Sequence, residues 1–265
     1  MFNRIKQSLG IDSITVDTTL QSNRFTQGDT VEGTVYVRGG SAHQSINKIV
    51  IKLFMTKLVP SKNGYVTQKF AFKELKITEA FQIQAEEEKV LPFTLALPYH
   101  TPLTTYERRR TEVWIKTEVD VPYALDSKDK DDLEIVPHRC TEEILSAMDS
   151  LGFYFTEVET VHQHEYKQLP FRQVFRYISQ GGYLKKWDRL WMDMILTPEI
   201  VTIRMRLFDQ VKDLPGYMSR AFLIQEGTKL NTTYRHDEVT KEKVTADIRA
   251  MLDQLLISES TKRST

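Results

Sequence analysis

Residues 112–121, Glu-Val-Trp-Ile-Lys-Thr-Glu-Val-Asp-Val, set Val113, Ile115, Val119 and Val121 against Glu112, Lys116, Glu118 and Asp120. A period of two puts one set on each side of an extended chain, so the segment reads as a half-buried β-strand. The same parity recurs around it. Ile14, Val16 and Leu20 share a face, as do Val31, Val35 and Val37 around Gly33, and Ile49, Ile51, Leu53 and Met55 oppose Lys48 and Lys52. Leu75, Ile77, Phe81 and Ile83 follow, then Leu91, Phe93, Leu95 and Leu97. The connectors carry turn chemistry at Gln27-Gly28-Asp29, Gly39-Gly40, Lys62-Asn63-Gly64 and Pro98 to Pro102. Strands at short spacing without crossover helices predict an antiparallel sandwich rather than a parallel sheet.

From Thr141 the period changes. Ile144, Leu145, Met148 and Leu151 recur at helical spacing, with Glu142 and Glu143 in the first turn and Gly152 just past the end. Alternation returns over Phe153 to Val161, Phe171 to Ile178 and Leu190 to Leu196. It is clearest where Val201, Ile203, Met205 and Leu207 oppose Thr202, Arg204 and Arg206. A last stripe, Val244, Ile248, Met251, Leu252, Leu255 and Leu256, predicts a docked helix. The expected organisation is therefore a β-sandwich over 1–138, a linker helix over 139–152, a second β-sandwich over 153–236, and a helix with a frayed tail over 237–265. The second strand region is short for a full sandwich and is expected to lean on the first lobe or on the tail.

Composition removes several function classes. The chain of 265 residues carries 36 basic and 36 acidic side chains, so bulk charge gives no reason to expect a nucleic-acid partner. One cysteine, Cys140, closes no intramolecular disulfide and fits a reducing compartment, so a cytoplasmic location is expected. Neither a signal-peptide core nor a transmembrane run is visible. Phe2, Ile5 and Leu9 form a short stripe that reads as a helix packed on the fold.

Phe25-Thr26-Gln27-Gly28-Asp29-Thr30-Val31-Glu32-Gly33-Thr34-Val35, the strand at Ile46 to Met55, and Leu91-Pro92-Phe93 to Leu97-Pro98 together resemble the arrestin fold. More narrowly, with the helix at Thr141 to Leu151 and the second half through Leu207, the chain resembles the bacterial sporulation-control proteins. The resemblance implies a mainly β chain of two arrestin-like, immunoglobulin-type β-sandwich lobes, with a linker helix and a C-terminal helix. It also implies a regulatory or adaptor protein without catalysis or cofactor.

The residues themselves offer few chemical motifs. His162 and His164 on alternate strand positions put two imidazoles on one face, but two ligands are not a metal site, and a polar strand end is the plainer reading. Cys140 in Pro137-His138-Arg139-Cys140 has a neighbouring imidazole and guanidinium, yet a buried structural thiol accounts for it. No nucleotide loop, nucleophile elbow or zinc-protease motif occurs. The candidate interaction surface is Arg108, Arg109 and Arg110 in one loop, Arg172, Arg176, Arg204 and Arg206 on the second lobe, and Trp114, whose plainer role is to face the neighbouring lobe. Four arginines on one face need acids between them or an anionic partner.

The function expected is that of an adaptor acting through protein contacts in a signalling pathway. Its partner is a protein or a second copy joined through sheet edges, with Pro92 and Pro98 bracketing one candidate edge and Lys48 and Lys52 marking another. The alternatives are a peripheral binder of anionic lipid or of a phosphorylated ligand, and an enzyme with a site between the lobes.

Overall fold

The computed structural model describes residues 7–8, 14–62, 64–106, 109–121, 127–162, 171–179, 183, 186–209 and 227–262. The alternating segments are strands and both helical stripes are helices, so the chain is mainly β with two α-helices. It divides into two units, Met1–Val136 and Pro137–Thr265.

The first unit holds β1 (Gln7–Ser8), β2 (Thr15–Leu20), β3 (Arg24–Thr26), β4 (Thr30–Arg38), β5 (Gln44–Ile46), β6 (Lys48–Ser61) and β7 (Gly64–Thr78). It continues with β8 (Phe81–Ile83), β9 (Glu88–Ala96), β10 (Thr105–Tyr106), β11 (Arg109–Arg110), β12 (Val113–Asp120), β13 (Ser127–Asp132) and β14 (Glu134–Val136). Gln7 and Ser8 are strand rather than helix; Phe2, Ile5 and Leu9 lie outside the described residues.

One antiparallel sheet runs β1-β2-β4-β9. In the other, β12 lies between β13 and β6, and β7 pairs with β6. The parity read from the sequence decides the inner faces. Val16, Val31, Val35, Val37, Phe93 and Leu95 are buried on the first sheet, and Ile49, Ile51, Leu53, Met55, Val113, Ile115 and Val119 on the second. Thr18 and Thr117 occupy inward positions and meet between the sheets, Oγ1 to Oγ1 at 2.7 Å. Two buried hydroxyls that satisfy each other escape the cost of an unpaired polar group.

Two glycines are required by this packing. Gly28 has φ +88°, and a Cβ there would lie 2.7 Å from the Tyr99 ring. Gly33 lies mid-strand where a Cβ would lie 2.6 Å from the Phe93 ring and 2.7 Å from the Thr19 carbonyl oxygen, so the neighbouring strand and ring approach too closely for any side chain there.

The second unit comprises α1 (Arg139–Ser150), β15 (Phe153–His162), β16 (Phe171–Ser179), β17 (Trp187–Leu196), β18 (Ile200–Asp209), β19 (Thr228–Arg235), a 3-10 turn at His236–Glu238 and α2 (Lys241–Lys262). Strands β15 to β19 form an antiparallel meander. Phe175, Tyr177, Leu190, Met192, Met205 and Leu207 are buried on one face, and Val244, Ile248 and Leu252 are buried on α2. The Tyr183 hydroxyl donates to Asp253 at 3.0 Å, and the Lys243 ammonium sits 5.9 Å from the Tyr234 ring centre. The C-terminal helix thus supplies packing for this unit, and it meets α1 where the Lys241 N–H donates to Glu143 Oε2 at 2.8 Å.

Candidate interaction surfaces

The register of the second sheet brings the predicted arginines together. Glu157, Arg176, Trp191, Arg206 and Lys229 form one cross-strand row, and Glu159, Val174, Asp193, Arg204 and Asn231 the next. The acids that such a face requires are present. Asp193, buried on β17, accepts from Arg204 Nε at 2.6 Å and from Arg172 Nη1 at 3.1 Å. Arg176 pairs with Glu157 at 3.2 Å and Glu159 at 2.5 Å, and its guanidinium lies 4.8 Å from the Trp191 ring centre. Trp191 in turn packs on Phe208, with centroids 4.6 Å apart. An anion approaching Arg172, Arg176 or Arg204 meets guanidiniums already held by carboxylates, whereas Arg206 has no carboxylate partner among the described residues.

Trp114 is 3% exposed, so it is buried instead of presented as an anchor. It stacks on Phe54 at 5.4 Å, and the ammonium groups of Lys130 and Lys69 sit 5.0 and 5.8 Å from its ring centre. Cation–π contact of this kind lets the tryptophan occupy the charged parity of its strand. Beside it Lys52 pairs with Glu118 at 2.5 Å and with Glu74 at 3.8 Å. Arg108 lies outside the described residues; Arg109 and Arg110 form the short strand opposite Tyr106 and Thr105.

The edge expected at Lys48 and Lys52 does not exist, because β6 is flanked by β12 on one side and β7 on the other. Alternation cannot distinguish an edge from a centre when an outward lysine such as Lys52 is neutralised by cross-strand acids. Strand β9 pairs with β4 alone among the described residues. Two bonds fix the phase of that ladder: Gly39 N–H donates to the Glu87 carbonyl at 2.9 Å, and Leu97 N–H to the Asp29 carbonyl at 2.8 Å. Odd-numbered β9 residues therefore bond to β4, and Val90, Thr94 and Ala96 direct their N–H groups outward. Pro92 stands in this outward row, where its missing N–H costs the ladder nothing. Beside the edge, Tyr36 is 41% and Val90 61% exposed, and both line a concavity of about 270 Å³ with Asp17, Arg38, Glu88 and Lys89.

The metal question moves away from the position named in the sequence. His162 ends β15 and His164 lies outside the described residues. Elsewhere, His138, Cys140 and His236 bring one ligand atom each to within 4.8 Å of one another. His138 caps α1, its Nδ1 accepting from the Cys140 N–H at 3.2 Å. Cys140 is fully buried; burial pushes its thiol pKa up, and the nearby Arg139 charge opposes this as a lesser influence. No sequence signal links His138 to His236, because only the fold brings the two segments together.

A family model described as SpoOM protein matches residues 2–209. The chain is similar to the sporulation-control protein spo0M of Bacillus subtilis (strain 168), at 30% identity over 224 residues, 83% of this chain and 85% of that protein. The crystal structure of Spo0M from Bacillus subtilis matches with a TM-score of 0.77 at 26% identity, covering 92% of this chain and 99% of that one.

Proposed function

The chain belongs to the SpoOM protein family, and from that membership we propose that it is a non-catalytic, arrestin-like regulatory protein of the cytoplasm, acting by strand addition at β9. The family supports the regulatory role. No helix of the described residues is long and apolar enough to cross a membrane, which fits an adaptor working in solution.

The observation that carries the mechanism is the outward row of backbone donors on β9. An unpaired edge offers main-chain hydrogen bonds to any extended segment, so natural edges are guarded. Here Pro92 interrupts the row and Glu88 and Lys89 charge one end, leaving Thr94 and Ala96 as an unobstructed stretch. Main-chain pairing supplies affinity, while Tyr36 and Val90 at the adjoining concavity select the side chains that arrive. The occupant is a strand of a protein partner or the same edge of a second copy.

The test is Thr94→Pro, which removes an outward donor without touching the β4 ladder. Circular dichroism should show an intact fold. Sedimentation should show loss of self-association, or crosslinking in the native cell should show loss of the partner bands. Unchanged association and crosslinks in the folded variant overturn the proposal.

A further inference from the structure

We propose that His138, Cys140 and His236 bind a divalent d-block cation, zinc being the best fit. Cys140 and His236 are 96 residues apart in sequence, yet the cysteine Sγ lies 3.7 Å from the His236 carbonyl oxygen and the two histidine ring centres are 4.8 Å apart. Two imidazoles and a thiolate form a nitrogen and sulfur donor set of borderline softness, which suits zinc or cobalt(II) and disfavours calcium and magnesium.

The surroundings hold the ligand segments in place. Arg139 donates from Nη1 to the Val239 carbonyl at 3.0 Å and from Nη2 to the His236 carbonyl at 2.5 Å, so the 3-10 turn is clamped to the start of α1. Bonds of 2.0–2.3 Å in a tetrahedron separate ligand atoms by about 3.6 Å, so the present spread of 4.8 Å contracts by about 1 Å on binding. Side-chain rotation supplies that movement. His138 is an extended cap residue whose Nδ1 exchanges its bond from the Cys140 N–H for the metal. The thiol proton is released as the sulfur–metal bond forms, two neutral imidazoles complete three ligands, and water takes the fourth position. The ion then clips the start of α1 to the turn before α2, so metal content is read out as stability of the second unit.

The experiment uses the full chain, reduced and stripped with a chelator, and titrated with cobalt(II) and separately with zinc(II). One equivalent of cobalt(II) should give the intense visible bands of a tetrahedral ion together with a thiolate-to-cobalt charge-transfer band. Zinc should bleach both and raise the melting temperature. His138→Asn keeps a side-chain oxygen to cap α1 but removes the imidazole, and should weaken zinc binding at least tenfold with circular dichroism unchanged. Cys140→Ala should remove the charge-transfer band. Its retention in Cys140→Ala, equal zinc affinity in His138→Asn, or cobalt bound with six-coordinate spectra only would overturn the proposal.

Discussion

His100 shows how one half-buried side chain sets a pH limit. Burial, with Lys73 nearby as a lesser cause, lowers its pKa from 6.5 to about 4, so the folded chain holds the imidazole neutral. Below pH 6.5 the unfolded chain takes up a proton that the folded chain refuses. The associated stability is full above that pH and is lost as pH falls toward 4, by up to ~1.4 kcal/mol per unit and about 3 kcal/mol in all. Urea unfolding of His100→Gln should therefore lose less stability between pH 7 and pH 4.5 than the unchanged protein, by roughly 2 kcal/mol. Asp193 carries a different load: it is buried and accepts hydrogen bonds from two arginines. Asp193→Asn keeps the shape but strands two guanidiniums, and should cost about 2–3 kcal/mol in urea unfolding. Replacing Arg172 by methionine in the same chain should recover part of that loss, since the remaining pair is then less unbalanced. Nothing in the sequence marks either residue: His100 stands in a proline-rich turn, and Asp193 in a strand of blurred alternation.

Elements were legible where one physical rule governs them. Parity predicted the inner faces of β2, β4, β6, β9 and β12, since one-sided burial leaves a period of two in the sequence. Helix α1 was legible through its stripe and Gly152, with φ +80°, and it runs from Arg139 to Ser150. Its cap was not legible, because a histidine ring does the capping, outside the usual set of Ser, Thr, Asp and Asn. Pairing partners were not legible, and that hid the central place of β6. A contrast of two glycines tests the close-packing argument on these elements. Gly33→Ala pushes a methyl against a backbone carbonyl that cannot move aside, and should cost about 1–3 kcal/mol by thermal unfolding. Gly64→Ala meets nothing within 4 Å, but its φ of +119° is strained for any side chain, so about 1 kcal/mol is expected there.

At the scale of the molecule, the arginine face decides between a protein adaptor and an anionic-surface binder. Sequence supplied the residues, but their convergence depends on the registers of β15 through β18, which no local pattern encodes. Once those registers are in place, Arg172, Arg176 and Arg204 share a surface with Asp193, Glu157 and Glu159 and are ion-paired to them. The chain as a whole is neutral, with 36 charges of each sign. A membrane of anionic lipid attracts a protein through uncompensated basic charge, about 1 kcal/mol per residue near the surface, and a compensated lattice offers little of it. The unchanged protein should therefore fail to co-sediment with phosphatidylserine vesicles at physiological salt. Glu157→Gln with Glu159→Gln removes two negative charges beside Arg176 while keeping hydrogen-bonding side chains in place. That pair of substitutions should raise vesicle binding several-fold at low salt, and the gain should vanish as salt is added. Strong, salt-sensitive binding by the unchanged chain would show that the pairs open at a membrane, and the anionic-surface reading would then displace strand addition at β9.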